Sequence, residues 1–222
     1  TMKLEKYSMG VGDRFGCQGS AQLAAFIKAK AQGINVVPVW NKSNREHEII
    51  GTAPGDVRAA ADAAVSAADW AGSYHVDADH INRDNVDGFI AASDFFTLDV
   101  ADFTGQPADE GDIAAFVEKH SRFTEPFSIE GIDGELCVSK EEITRIASKY
   151  LYAIKQAAAI YQKVEASKGA ENFVTEVSMD ETDLPQTPLD MLFILAAISD
   201  EGIPAQTIAP KFTGRFNKGV DY

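Results

Sequence analysis

The sequence predicts an α/β protein of the (β/α) TIM-type barrel class, left incomplete in this chain and interrupted by a helical insertion. Three observations carry that prediction. Short apolar runs alternate with Ala-rich amphipathic segments at spacings of roughly 30–40 residues, the rhythm of parallel βα units. The runs end in polar, potentially reactive residues, and parallel α/β folds gather their functional groups at the carboxyl ends of their strands. Six runs occur in 222 residues, two short of the eight strands that close such a barrel.

Taken in order, "YSMGVGDRFG" (7–16) is the first strand, running into a glycine-rich turn. "SAQLAAFIKAKAQG" (20–33) puts Leu23, Phe26 and Ile27 on one helical face and stops at Gly33, a C-cap residue. "NVVPVWNKSN" (35–44) is the second strand, although Pro38 cannot donate to a ladder and so argues against a central position. "GDVRAAADAAVSAADWAG" (55–72) is a second helix, started by Asp56 and stopped near Gly72. "YHVDADH" (74–80) and "FFTLDVADF" (95–103) are the third and fourth strands.

The rhythm breaks from Pro107 to Gly169. "DEGDIAAFVEKH" is followed by a loop and then by one long helix, opened by a capping box of Ser139 and Glu142. Ile143, Ile146, Tyr150, Leu151, Ile154 and Ala158 fall at helical spacing, and Tyr150, Tyr152 and Tyr161 are read as packing. "FVTEVSMDETD" (173–183) is the fifth strand. "TPLDMLFILAAISDEG" (187–202) is a helix with Thr187 as its cap and Pro188 at its first position, and "PAQTIAPKFTGRF" (204–216) is the sixth strand. The organisation is therefore a first barrel part over 1–106, a helical insertion over 107–170 and a barrel continuation over 171–222. Closure and any further strands are expected in a longer protein. Six units without closure leave strand edges bare, so this segment alone is expected to be poorly soluble.

Composition narrows the function. A net charge of −14 and a pI near 4.6 repel nucleic acid and anionic membranes. No apolar run approaches the roughly 20 residues that cross a bilayer, and "TMKLEKYSMG" lacks the apolar core of a secretory signal. Cys17 and Cys137 stand far apart without metal-type spacing, which points to a reducing, cytoplasmic setting. The expected partner is a small molecule.

Three clusters could carry chemistry. In "VDADH", alternation puts Asp77 and Asp79 on one side of the strand, with His80 at its lip. A neutral imidazole beside a carboxylate suits a divalent cation or a base, and a capped turn with a solvated histidine is the plain alternative. His75 is read as core, and His120 as a cation at a helix end. In "TEVSMDETD", Glu176 alternates with Ser178 and Asp180, and Glu181 begins the loop beyond. An acid there, facing Asp79, would complete a general acid–base pair; Asp183 and Thr187 as helix caps are the alternative. The third cluster is basic against the acidic background. Arg14, Lys42, Arg45, Lys211 and Arg215, with Asn41 beside Lys42, all follow strand ends and suit a carboxylate or phosphate. "GVGDRFG" lacks both the dinucleotide spacing and the Walker lysine, so a nucleotide is not expected.

With these residues in place, the chain resembles the tagaturonate/fructuronate epimerase family. The strings that carry the resemblance are "YSMGVGDRFG", "VWNKSNREH", "VDADHI", "SDFFTLDVADF", "VSMDETD" and "TIAPKFTGRFNKGVDY". It implies a metal-dependent (β/α) barrel enzyme of hexuronate catabolism that interconverts two keto-uronates. His80 would be one ligand of a divalent cation (Mn, Zn, Co, Ni or Fe), Asp79 the proton acceptor and Glu181 the proton donor. Arg14, Asn41, Lys42, Arg45, Lys211 and Arg215 would bind substrate. The family's other metal-binding histidines are expected beyond Tyr222. A metal-dependent aldolase on the same scaffold is the competing enzyme, and a sugar-acid binding domain the non-enzymatic one.

Overall fold

A computed structural model describes residues 2–214; Arg215 and its expected role lie outside the described residues. Six strands, β1 (Ser8–Gly12), β2 (Val37–Ser43), β3 (His75–Ile81), β4 (Phe95–Asp99), β5 (Val174–Ser178) and β6 (Thr207–Ala209), form one sheet in sequence order. β1 to β5 pair in parallel throughout. The order never reverses, whereas a doubly wound sheet has a switch point where it does. The result is a curled parallel half-barrel flanked by helices, in keeping with an incomplete barrel.

Two compact units divide the chain. The first holds the chain up to Asp99, Ala157–Ser178 and Ile203–Ile208; the second holds Val100–Gln156, Met179–Gly202 and the chain from Ala209. In the first unit the strands separate two faces with the period of two that a pleated strand imposes. Trp40 and Val76 look outward onto Leu23 and Phe26 of α1 (Gly19–Ala31) and Ala61 and Ala64 of α3 (Pro54–Ala67), with Val11 against them. Val39, Phe95 and Val174 look to the inner face, where Met2 and Leu4 cover them.

Details depart from the sequence expectation for local reasons. Ile27 is 39% exposed, because the buried face of α1 is only as wide as Leu23 and Phe26. α3 begins at Pro54; Asp56 sits in its first turn and its carboxylate accepts from the Ala53 N–H at 2.8 Å. It ends at Ala67, well short of Gly72, and Asp69 then takes a left-handed backbone with φ 46°. A short helix, α2 (Asn44–Ile50), follows β2 directly. Its capping box is Ser43 with Glu46, and Gly51 closes it in the left-handed region at φ 68°.

Pro38 lies inside β2 after all, between β1 and β3. Successive residues of a parallel strand bond to opposite neighbours, and the Val37 N–H donates to Tyr7 on the β1 side. Pro38 therefore faces β3, whose pairing with β2 begins only at Val39. The missing donor costs no ladder bond.

In the second unit, α4 (Glu110–Lys119) is capped by Asp109, and α6 (Pro188–Asp200) by Thr187 in a capping box with Asp190. His120 ends α4 with its Nε2 2.8 Å from Asp200. The long helix α5 (Lys140–Lys168) runs through both units. The Glu142 N–H donates to Ser139 Oγ at 3.1 Å, and Ile143, Ile146, Tyr150, Leu151, Ile154 and Ala158 are all buried. Tyr150 and Tyr161 are buried too, and Tyr152 meets Phe103 edge-on, so the tyrosines pack. Among the described residues no helix is long and apolar enough to cross a membrane.

Candidate active site

Strand register gathers polar side chains at the carboxyl ends of β2 to β5 on the inner face. Asn41 pairs with Asp77 and Ser43 with Asp79, while Thr97 pairs with Glu176 and Asp99 with Ser178. In a parallel ladder, paired residues share a face, so the apolar floor of Val39, Phe95 and Val174 gives way to a polar rim two residues further along each strand. The same file holds Thr97, Asp99 and Ser43, which the sequence reading did not assign. Their signal was present: they occupy alternate positions in "FFTLD" and "NKS", in step with the residues of "VDAD".

The adjacent Asp79 and His80 are explained by an irregularity in β3. Asp77 pairs with Phe95 and Ala78 with Phe96, yet Ile81 pairs with Leu98, so one extra residue is inserted between Ala78 and Ile81. His80 takes up the extra residue with φ 52°, a left-handed backbone that His tolerates better than most side chains. Regular alternation would send neighbours to opposite faces. The bulge instead lets the two side chains meet, with His80 Nδ1 2.7 Å from Asp79 Oδ1. With Nδ1 as donor, Asp79 fixes the ring and its tautomer and leaves the lone pair on Nε2.

Asp77 sits deeper, only 6% exposed. Its Oδ2 accepts from Thr97 Oγ1 at 2.9 Å, while Oδ1 is buried without a partner. Burial drives its pKa well above the ordinary carboxylate value, and the Asp79 and Glu176 carboxylates push in the same direction. The sequence named this acid without giving it a role.

β1 supplies no side chain here, and that is its contribution. A Cβ on Gly12 would lie 3.2 Å from Asn41 Oδ1, and one on Gly10 3.6 Å from Asn41 Nδ2. The bare "GVG" strand is therefore the bed of the Asn41 amide, a job unrelated to phosphate binding. The basic residues gather at the adjoining loop. Lys42 is 2% exposed on the outward side of β2, and its Nζ comes 3.8 Å from where a Cβ on Gly16 would stand. Arg14 is exposed and its Nε bonds Glu46 Oε1 at 3.0 Å, which holds Glu46 below its ordinary pKa despite partial burial. Arg45 is exposed in the first turn of α2. Glu181 and Lys211 belong to the second unit: Glu181 is exposed in the loop after β5, and the Lys211 N–H donates to Gln186 Oε1 at 2.6 Å. Cys17 and Cys137 are free thiols.

A parallel α/β sheet whose amide, carboxylates and imidazole line the strand ends has the layout in which such folds carry their sites. The chain belongs to the tagaturonate epimerase family, whose profile matches residues 1–222. It is 30% identical over 231 residues to the tagaturonate/fructuronate epimerase of Thermotoga maritima, an alignment covering 97% of this chain and 46% of that protein. Crystal structures of the fructuronate-tagaturonate epimerase UxaE from Cohnella laeviribosi share the fold. The native form and a glycerol complex each superpose with a TM-score of 0.77 at 22% identity, covering 96% of this chain and 45% of that one. The chain thus spans about half the length of the relatives it matches.

Proposed function

We propose that this chain carries part of the active site of an enzyme interconverting D-tagaturonate and D-fructuronate in hexuronate catabolism. Family membership supports the reaction, and the observation that carries the site is the Asp79–His80 pair set by the β3 bulge on the polar inner face. The two substrates differ at a carbon beta to the ketone, where the hydrogen is not acidic. Removing and returning that proton cannot invert the centre; breaking and remaking the neighbouring C–C bond can.

In this reading Asp79 accepts the proton of the hydroxyl on the carbon to be inverted. That oxygen becomes an aldehyde carbonyl as the C–C bond to the next carbon breaks, and the bonding electrons pass to the ketone fragment as an enediolate. The aldehyde turns over and the enediolate carbon attacks its other face. The new alkoxide takes up a proton, from Asp79 or from Glu181 as donor, so atoms and electrons balance. Asn41, paired with Asp77 on the same face, would contact substrate through its amide. Arg14 and Arg45, with Lys211 and Arg215, would hold the substrate carboxylate. Lys42, expected to share that role, is buried on the outward side of β2 and does not face this site.

The residues fit a divalent cation in part. His80, oriented by Asp79, suits one ligand position. Among the described residues no three His, Cys, Asp or Glu side chains come together as a full set. When bound, such a cation supplies Lewis acidity toward the charge that builds on the ketone fragment.

Tagaturonate deuterated at the inverted carbon tests the chemistry. That C–H bond survives cleavage, so the complete protein should retain the label with no primary isotope effect. A primary effect with an oxidised intermediate would replace cleavage by hydride transfer, and release of free fragments would make the protein an aldolase.

A further inference from the structure

We propose that Asp77 is a positioning residue, a neutral carboxylic acid anchored by Thr97 beneath Asp79, which keeps a second negative charge away from the reacting carbons. This deepens the epimerase reading and rests on it. Three features of the inner face support it. Asp77 pairs with Asn41 and lies two residues before Asp79 on the same side of β3, so it belongs to the file that meets substrate without reaching it. It is 6% exposed, and Oδ1 is sealed from solvent with no hydrogen-bond donor. A lone buried oxygen is tolerable on a neutral acid and costly on an anion.

Among the described residues, His75, two positions earlier on the same face of β3, and His80 are the cationic candidates, and neither hydrogen-bonds Asp77. From β4, Thr97 Oγ1 donates a single bond to Oδ2, and Asp99 stands further along the same face. From β5 comes Glu176, and from β3 itself come Asp79 and His80. From β2 come Asn41 and Ser43, while Lys42 faces outward. The charge of His80 opposes the effect, ranking behind burial and the Asp79 and Glu176 carboxylates.

The consequence concerns the transition state. Cleavage places negative charge on the ketone fragment, and Asp79 gains a proton as that charge grows. With Asp77 neutral, the site holds one fewer fixed anion while this happens. Once Asp77 ionises, the developing charge faces it as well, and the rate falls.

The test uses the complete protein and its Asp77→Asn and Thr97→Val variants. Asparagine keeps the shape and the Thr97 bond and cannot ionise. Infrared difference spectra across pH should show a protonated-carboxyl band in the parent that Asp77→Asn lacks. The loss of interconversion rate at alkaline pH should vanish in Asp77→Asn. In Thr97→Val, which removes a donor that favours the anion, it should move to higher pH. A parent without that band, or an alkaline limb unchanged in Asp77→Asn, would overturn the proposal. The infrared readout needs no turnover, so an inactive parent with the band present would overturn the epimerase reading and leave the neutral acid in place.

Discussion

His75 shows how a single residue can set a pH dependence away from the reacting groups. It is buried at the start of β3, with Nε2 3.2 Å from Glu5 and Nδ1 3.7 Å from Asp94. Burial alone would lower its pKa; the Asp94 and Glu5 carboxylates outweigh burial and raise it above 6.5. The reverse holds for its partners. Burial would raise Asp94 and Glu5, but hydrogen bonds and the nearby cations bring them below 3.8 and 4.5. The His75 contribution to stability is thus complete below about 6.5 and lost as pH climbs through its raised folded value. The carboxylate contributions are complete above 3.8 and 4.5 and lost as pH falls through their lowered values. Unfolding free energies measured against pH should show His75→Gln closing on the parent as pH rises from neutral to alkaline. A gap that stays constant would mean the network does not titrate as described. At this scale the sequence was legible for His75 as core and for Asp79 and His80 as a pair. The burial that singles out Asp77 depends on β4 and β5, which local sequence does not reveal.

Among elements, β3 matters most. Its bulge lets the Asp79 and His80 side chains meet, and the left-handed backbone at His80 is the cost of the extra residue. Two substitutions separate shape from chemistry. Asn accepts left-handed backbone, so His80→Asn should fold normally and lose interconversion. His80→Val places a β-branched side chain there and should cost about 1–2 kcal/mol, a fall of a few degrees in Tm. Equal melting of the two variants would show that the bulge imposes no strain. The strands were legible as short apolar runs ending in polar residues, and the long helix because its apolar stripe runs from Ile143 to Ala158. α2 escaped notice because seven residues are too few for a helical period, although Ser43, Glu46 and Gly51 spell its two ends. The bulge was illegible for a different reason: it is a relation between β3 and β4, and no single strand records it.

At the scale of the whole molecule, six strands in unbroken sequence order carry a polar rim at the carboxyl ends of β2 to β5. The repeat of strand and helix made that order readable, since each crossover, even the long one from Asp99 to Val174, returns to the neighbouring position. The chain spans about half the length of the relatives it matches, so its residues were read without the other half of those proteins. Asp79 is proposed as the base of a cation-assisted epimerase. The most direct measurement takes the complete protein, stripped of metal, with tagaturonate and with or without Mn²⁺, and follows fructuronate by NMR beside an Asp79→Asn variant. Fructuronate should form only when the cation is added, and the variant should lose at least about a hundredfold in rate. Full activity in Asp79→Asn, or interconversion that ignores both the cation and its removal, would rule out that role for Asp79.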